Sequence, residues 1–287
     1  MYRGNYPPIS GMHEKEDEMT SMLKLEHYHE LGKTLNEYLH LQTFPLAVRL
    51  LKSKKALPEK ARRPSALNMQ ITMCQGYTFA RRIGWTMGLA VEDMKCTPNL
   101  IAYGFTELTD NHAFIEALRA MDYYATDEAA QRAIDNFPML KPGEYEAVVI
   151  SPLAWTKVEP DVILIHGNST QIMRLIQASV YTTGEPLMTK QMGLVASCVG
   201  GVLQTFTTRN SNVIIPGAGD RVYAAAQDHE LIFTLPTEKL EETVTSLGKA
   251  GYAMGIRSPM FVSLSTPSVP PAVWEILDKH TKPIDKK

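Results

Sequence analysis

Cys74, Cys96 and Cys198 are the residues whose chemistry is hardest to replace. A thiolate is a soft metal donor and, where its pKa is lowered, a nucleophile. Three cysteines cannot all pair within one chain, and three in 287 residues make no disulfide scaffold. Three readings remain: inert buried thiols, one reactive thiol, or three thiolates on one metal centre. The spacings of 22 and 102 residues match no zinc or ferredoxin pattern. Spacing alone therefore favours unrelated core thiols, the common state of free cysteine.

Local context adds to the count. Cys74 lies in NMQITMCQGYTFARRIGW, where a helix would put Cys74, Thr78, Arg81 and Arg82 on one face. A cation there would favour the thiolate. Cys96 lies in VEDMKCTPNL, a loop context in which backbone amides are free to bond sulfur. Cys198 precedes Gly200 and Gly201, and glycine permits the close approach of a bulky group.

A second constellation is PGAGDRVYAAAQDHELIF, residues 216–233. Gly217 and Gly219 follow an apolar strand and could turn backbone N–H groups toward an anion. Asp220 and Arg221 could pair, or Arg221 could hold a carboxylate or phosphate. Asp228, His229 and Glu230 are candidate proton carriers or metal ligands. Gly-rich turns between strands are common, however, and acidic loop residues are usually solvated. His166 and Asn168 stand at the end of a strand, where Asn168 is better placed to cap a helix than to meet a ligand. Arg49, inside FPLAVRLL, must face solvent, pair or bind an anion. No Walker, GxGxxG, HExxH, EF-hand or nucleophile-elbow pattern is present.

These residues need a scaffold. Apolar residues make up 44% and charged residues 21%, with a net charge of −2, which excludes a charge-driven nucleic-acid binder. No apolar run is long enough to span a membrane, and MYRGNYPPISGMHEKEDE is no secretory leader, so a cytoplasmic protein is expected. Periodicity predicts helices at Met19–Leu41, Ile71–Met87, His112–Met121, a short one from Thr126, Gln171–Tyr181, Met192–Thr208, Lys239–Lys249 and Val273–Lys279. Strands are expected at Phe44–Leu51, Leu100–Phe105, Tyr145–Pro152, Asp161–Ile165, Val213–Pro216 and Leu231–Leu235. The result is an α/β (or α+β) fold, a mixed sheet flanked by helices. It would form one large domain or two intimate halves, 18–140 and 141–265. Residues 1–17 would be a flexible arm and 266–287 a Pro-rich extension.

Several separated motifs agree with one family. They are Phe44-Pro45-Leu46-Ala47-Val48-Arg49, Met73-Cys74-Gln75 with Ala80-Arg81, and Glu92-Asp93 before Cys96. Pro160-Asp161-Val162 with Gln171, Ala196-Ser197-Cys198, Gly219-Asp220-Arg221 and Asp228-His229-Glu230-Leu231 complete the set. Over roughly residues 20–255 the chain resembles the domain-of-unknown-function family number 169, found in bacteria and archaea, many of them anaerobes. The resemblance implies a shared role for the three cysteines, since all fall in its motif blocks. Members often carry a further cysteine near Pro216–Ala218, where this chain has none. The expectation is a [4Fe–4S] cluster on Cys74, Cys96 and Cys198, with Gly200, Gly217 and Gly219 giving it room. Arg81, Arg221 and His229 would serve a small organic acid or thioester. The alternatives are an electron-transfer, sensing or accessory subunit with a protein partner or a second copy, and a thiol enzyme using Cys74.

Overall fold

The computed structural model describes residues 10–254, with side chains described from Met19 onward, apart from that of Asn111. A long helix, α1 (Ser10–Leu39), leads to strand β1 (Leu46–Leu51). A short helix α2 (Met73–Thr78) runs into a π-turn (Phe79–Ile83), followed by β2 (Met87–Ala90). Helices α3 (Thr97–Ala102), α4 (Asn111–Ala120) and α5 (Asp127–Asp135) come next. Strands β3 (Ala147–Pro152) and β4 (Val162–Gly167) precede α6 (Ser169–Ser179). A π-helix (Ala196–Leu203) continues as α7 (Gln204–Thr208). Strand β5 (Asn212–Ile214), α8 (Ala218–Val222), β6 (Leu231–Pro236) and α9 (Leu240–Leu247) complete the described fold.

The strands form one sheet in the order β2-β3-β1-β4-β6-β5, and every ladder in it is antiparallel. The expected mixed sheet is therefore an antiparallel one within a mixed α/β protein. Alternation along the strands splits the core. Val48, Ile150, Leu164 and Ile232 point to the face covered by α2–α5 and the π-helix. Ala47, Ile163, Ile165, Phe233 and Leu235 point to the face covered by α1, α6 and α9. The central strands are thus buried on both sides, which is why they read as continuous apolar runs.

Several caps form as the sequence suggests. Asn168 and Gln171 make a reciprocal capping box at α6, and Gln171 Nε2 also donates to the carbonyls of Leu39 and His40, tying α6 to the end of α1. Asp110 and Thr126 cap α4 and α5. Arg49 donates to Asp161 Oδ1 at 2.9 Å while Asp161 Oδ2 accepts the Leu50 N–H, so the strand arginine is paired. Three expectations differ. Leu100–Phe105 is not a strand: Pro98 and the Cys96 carbonyl start α3 there. The long helix expected over Ile71–Met87 ends at Gly84, which is left-handed, and the chain turns into β2. The first helix starts at Ser10, inside the expected arm. The expected Val273–Lys279 helix and the Pro-rich extension lie outside the described residues.

Candidate functional site

The three cysteines meet on one cavity of about 560 Å3, on the α2–α5 side of the sheet. Each sits at the start of a helical segment. Cys74 is the second residue of α2, after the Thr72 cap. Cys96 is itself the N-cap of α3. Cys198 is the third residue of the π-helix. Such positions leave backbone N–H groups unpaired by the helix and near the side chain. The Gln75 N–H lies by the Cys74 sulfur and that of Asn99 by the Cys96 sulfur.

The segments are held together by groups that do not touch the sulfurs. Asp93, fully buried, accepts from Arg63, from the hydroxyl and N–H of Ser65, and from the Ala90 N–H. Next to it, Ile71 donates to the Asp93 carbonyl and Lys95 to the Ile71 carbonyl, both at 2.9 Å. The Glu92-Asp93 motif thus clamps the strip carrying Cys74 to the strip carrying Cys96. Just after α3, the Tyr103 hydroxyl donates to the Cys198 carbonyl at 2.9 Å, docking the π-helix.

Arg81 has a different role from the one its spacing suggested. The π-turn carries it away from Cys74 into the interior, where it is 1% exposed and grips Glu230 with both terminal nitrogens, at 2.6 and 3.1 Å. Burial pushes the Glu230 carboxyl up, but the hydrogen bonds and charge of Arg81 outweigh it and hold it below the usual range. Thr78 and Arg82 hold the carbonyls of Ala224 and Ala225. All three anchor the loop after α8, and so press Gly219 and Asp220 against Cys74, whose sulfur lies 3.6 Å from the Gly219 carbonyl.

Arg221 donates to the Pro216 carbonyl and to Asp228, and His229 is exposed; neither lines the cavity. Asp220 does not pair with Arg221. It accepts from Gly217 N–H at 3.0 Å and from both the N–H and hydroxyl of Ser197. Gly217 is required by space, since a Cβ there would stand 3.0 Å from the Gly193 carbonyl oxygen. Gly200 lies outside the cavity, where it packs near Ile214 and Met192 instead of making room at the thiols.

Two residues that spacing did not single out belong to the site. Asn99 is fully buried with neither Nδ2 nor Oδ1 partnered, and it lies by the Cys198 sulfur, whose charged form its amide favours. Val195 holds φ +44°, a left-handed conformation that a β-branched residue adopts only under strain. Its carbonyl accepts from Val199 and Gly200 and lies 3.7 Å from Cys198 Sγ. A π-helix and a strained residue beside one thiol are features that gather at functional sites.

Burial dominates the thiols' acidity. It pushes Cys74 up to about 12, Cys96 upward and Cys198 well above its ordinary value. Asp220 raises all three thiols further, and neighbouring sulfurs raise Cys74 and Cys198, which records their proximity. Without a cation bound among them, all three are neutral thiols at neutral pH. Among the described residues, no group of three or more His, Cys, Asp or Glu side chains is arranged to hold a metal ion.

The fold and site define an α/β protein in which an antiparallel sheet carries a cavity walled by three thiols. Residues 34–246 match DUF169, described as "Uncharacterised ArCR", and the chain belongs to that family. It is similar to "Uncharacterized protein MJ0308" of Methanocaldococcus jannaschii, 27% identical over 219 residues, covering 76% of this chain and 92% of that protein. No solved structure matches it significantly. No described helix is long and apolar enough to cross a membrane.

Proposed function

We propose that Cys74, Cys96 and Cys198 hold a [4Fe–4S] cluster, with the fourth iron left to a non-cysteine ligand or a small molecule. The observation that supports this is three thiols from three distant segments on one largely apolar cavity. A cluster gives each thiolate its own iron, so the sulfurs need not crowd one ion. The donor set is soft and all-sulfur, the kind such clusters take. Asn99 adds an independent sign, because a buried amide without a partner is costly unless something accepts from it.

Bound there, a cluster supplies a one-electron couple and, at an iron without thiolate, a Lewis acid. The chain's own residues would do the rest. Asn99 and the N–H groups of Gln75 and Asn99 stabilise negative sulfur. The apolar walls keep water away. Asp220, immobilised by Ser197 and Gly217, sets a fixed negative charge beside the thiols. Arg81 and Arg221 act on this site only through the loops they hold, and His229, exposed and outside the cavity lining, takes no part in it. The substrate would be a small organic acid or thioester, in the reducing cytoplasm of an anaerobic metabolism. A thiol nucleophile at Cys74 finds no support, because its thiol is pushed up and Arg81 is committed to Glu230.

A second reading, an electron-transfer or accessory module, draws on the cavity mouth. Met121, Tyr123, Val222 and Tyr223 are large apolar side chains left exposed around it, a surface that suits a docked partner.

Anaerobic purification followed by iron analysis and visible spectroscopy tests the proposal. The expected protein is brown, with about four irons per chain. Cys198→Ala should lose the colour at a stability cost of about 1 kcal/mol. A colourless, iron-free protein with three titratable thiols overturns both cluster readings.

A further inference from the structure

Two charged side chains line the thiol cavity, and they are not equivalent. Asp220 is 5% exposed and already accepts three hydrogen bonds. Lys95 is exposed at the mouth, next to Cys96, and its ammonium has no ion pair or hydrogen bond among the described residues. Its backbone is nonetheless fixed, because its own N–H donates to the Ile71 carbonyl in the bridge between the two cysteine strips. The contrast with the cleft beside α1 is direct. There Arg49 and Arg209 are already paired with Asp161 and Glu238. The same cavity also carries exposed apolar and aromatic side chains: Met121, Tyr123, Val222 and Tyr223 are exposed by 51%, 38%, 72% and 60%. A ligand that satisfies both features carries one anion and one apolar body.

We propose that the cavity binds a small carboxylic acid with an apolar body, its carboxylate on Lys95 and its body against Tyr123 and Tyr223. Single-charge recognition at the mouth and apolar contact along one wall is the usual division of labour in small-ligand pockets. The volume, about 560 Å3, suits a molecule of that size. Asp220 sharpens the choice, since its fixed negative charge excludes a second anion deep in the cavity and leaves the ligand's uncharged end to face the sulfurs. What then happens to that end rests on the cluster reading; the binding itself does not require iron.

The test uses the full chain purified without oxygen, with iron measured on the same sample. Titration calorimetry compares phenylacetate, phenylacetamide and acetate. Phenylacetate should bind saturably and more tightly than the other two. Lys95→Gln should weaken phenylacetate about fivefold, the scale of one partly exposed ion pair, toward the value for phenylacetamide. Lys95→Arg should keep most of the affinity. Circular dichroism on both variants checks that the fold persists, as an exposed side chain without partners predicts. Equal binding of the acid and the amide, no effect of Lys95→Gln, or no saturable binding at millimolar concentrations would overturn the assignment. The two readings separate cleanly. A colourless chain that binds phenylacetate through Lys95 keeps this inference and removes the cluster; a brown chain that binds none does the reverse.

Discussion

Asn99 makes the sharpest single-residue case. A buried amide with both polar atoms unpaired costs about 1–3 kcal/mol. A thiol at Cys198 is a weak acceptor, whereas a metal-bound thiolate is a charged one. The same side chain is therefore a liability in the iron-free chain and an asset in the loaded one. Asn99→Leu, close in volume, should leave the iron-free melting temperature unchanged or higher. In the loaded protein it should make the reduction potential more negative, because hydrogen bonds to sulfur raise it. A destabilised iron-free chain together with an unmoved potential would remove Asn99 from the site. The cysteines were legible in the sequence because their chemistry is intrinsic to the residue type. Asn99 was not, and Asp220 was read as a partner for Arg221 and not for Ser197 and Gly217, because what distinguishes both is an environment assembled by the tertiary fold. Arg81 was misplaced for a related reason: an i+7 argument assumes an unbroken α-helix, and one π-turn rotates the side chain to the other side.

Among the elements, the π-helix is the one whose form is costly. Left-handed backbone at a β-branched residue costs roughly 1–3 kcal/mol, and Val195 bears it at the entry to the turn that presents Cys198. Val195→Gly removes that strain while giving up only a half-buried side chain. It should cost under about 1 kcal/mol or stabilise the chain. Val202→Gly, in the same element but fully buried, should cost about 3 kcal/mol through cavity and helix propensity together. Chemical denaturation of both variants decides it, and equal losses would mean that the Val195 conformation stores nothing. Helices such as α6 were readable because Asn168 and Gln171 cap each other within four residues of sequence. The π-helix was readable as helix but not as π, since ASCVGGVL carries no local signal for the wider turn. The misread strand at Leu100–Phe105 shows the same limit: a six-residue apolar run fits either element, and only Pro98 and the Cys96 carbonyl tip it to helix.

At the scale of the molecule, the strand order interleaves the two ends of the chain. β1 lies between β3 and β4, although nearly a hundred residues separate it from β3 in sequence. The helical and extended segments, and hence the α/β class, could be read from periodicity, but not this order, because strands buried on both faces carry no pattern that names their neighbours. Fragments 1–140 and 141–287 should accordingly fail to fold singly and regain structure when mixed, as judged by circular dichroism. The thiol cavity joins the same two stretches, and this gives the whole molecule a pH dependence tied to its proposed cargo. Burial raises all three thiols in the fold above their unfolded values of about 8.5. A raised folded pKa means that the iron-free fold binds protons that the unfolded chain has released. That stability is complete below about pH 8.5 and is lost as pH rises toward the folded values, by up to about 1.4 kcal/mol per pH unit for each thiol. Between pH 8 and 9.5, below the titration of unfolded tyrosine, the iron-free chain should weaken steadily, and Cys198→Ala should flatten the slope. Metal-bound thiolates carry no proton, so the loaded protein should lose this dependence, and its melting-temperature advantage over the iron-free chain should widen with pH. Parallel loss in the two forms would mean that the cysteines keep their protons in both, and that whatever iron the protein holds is held elsewhere.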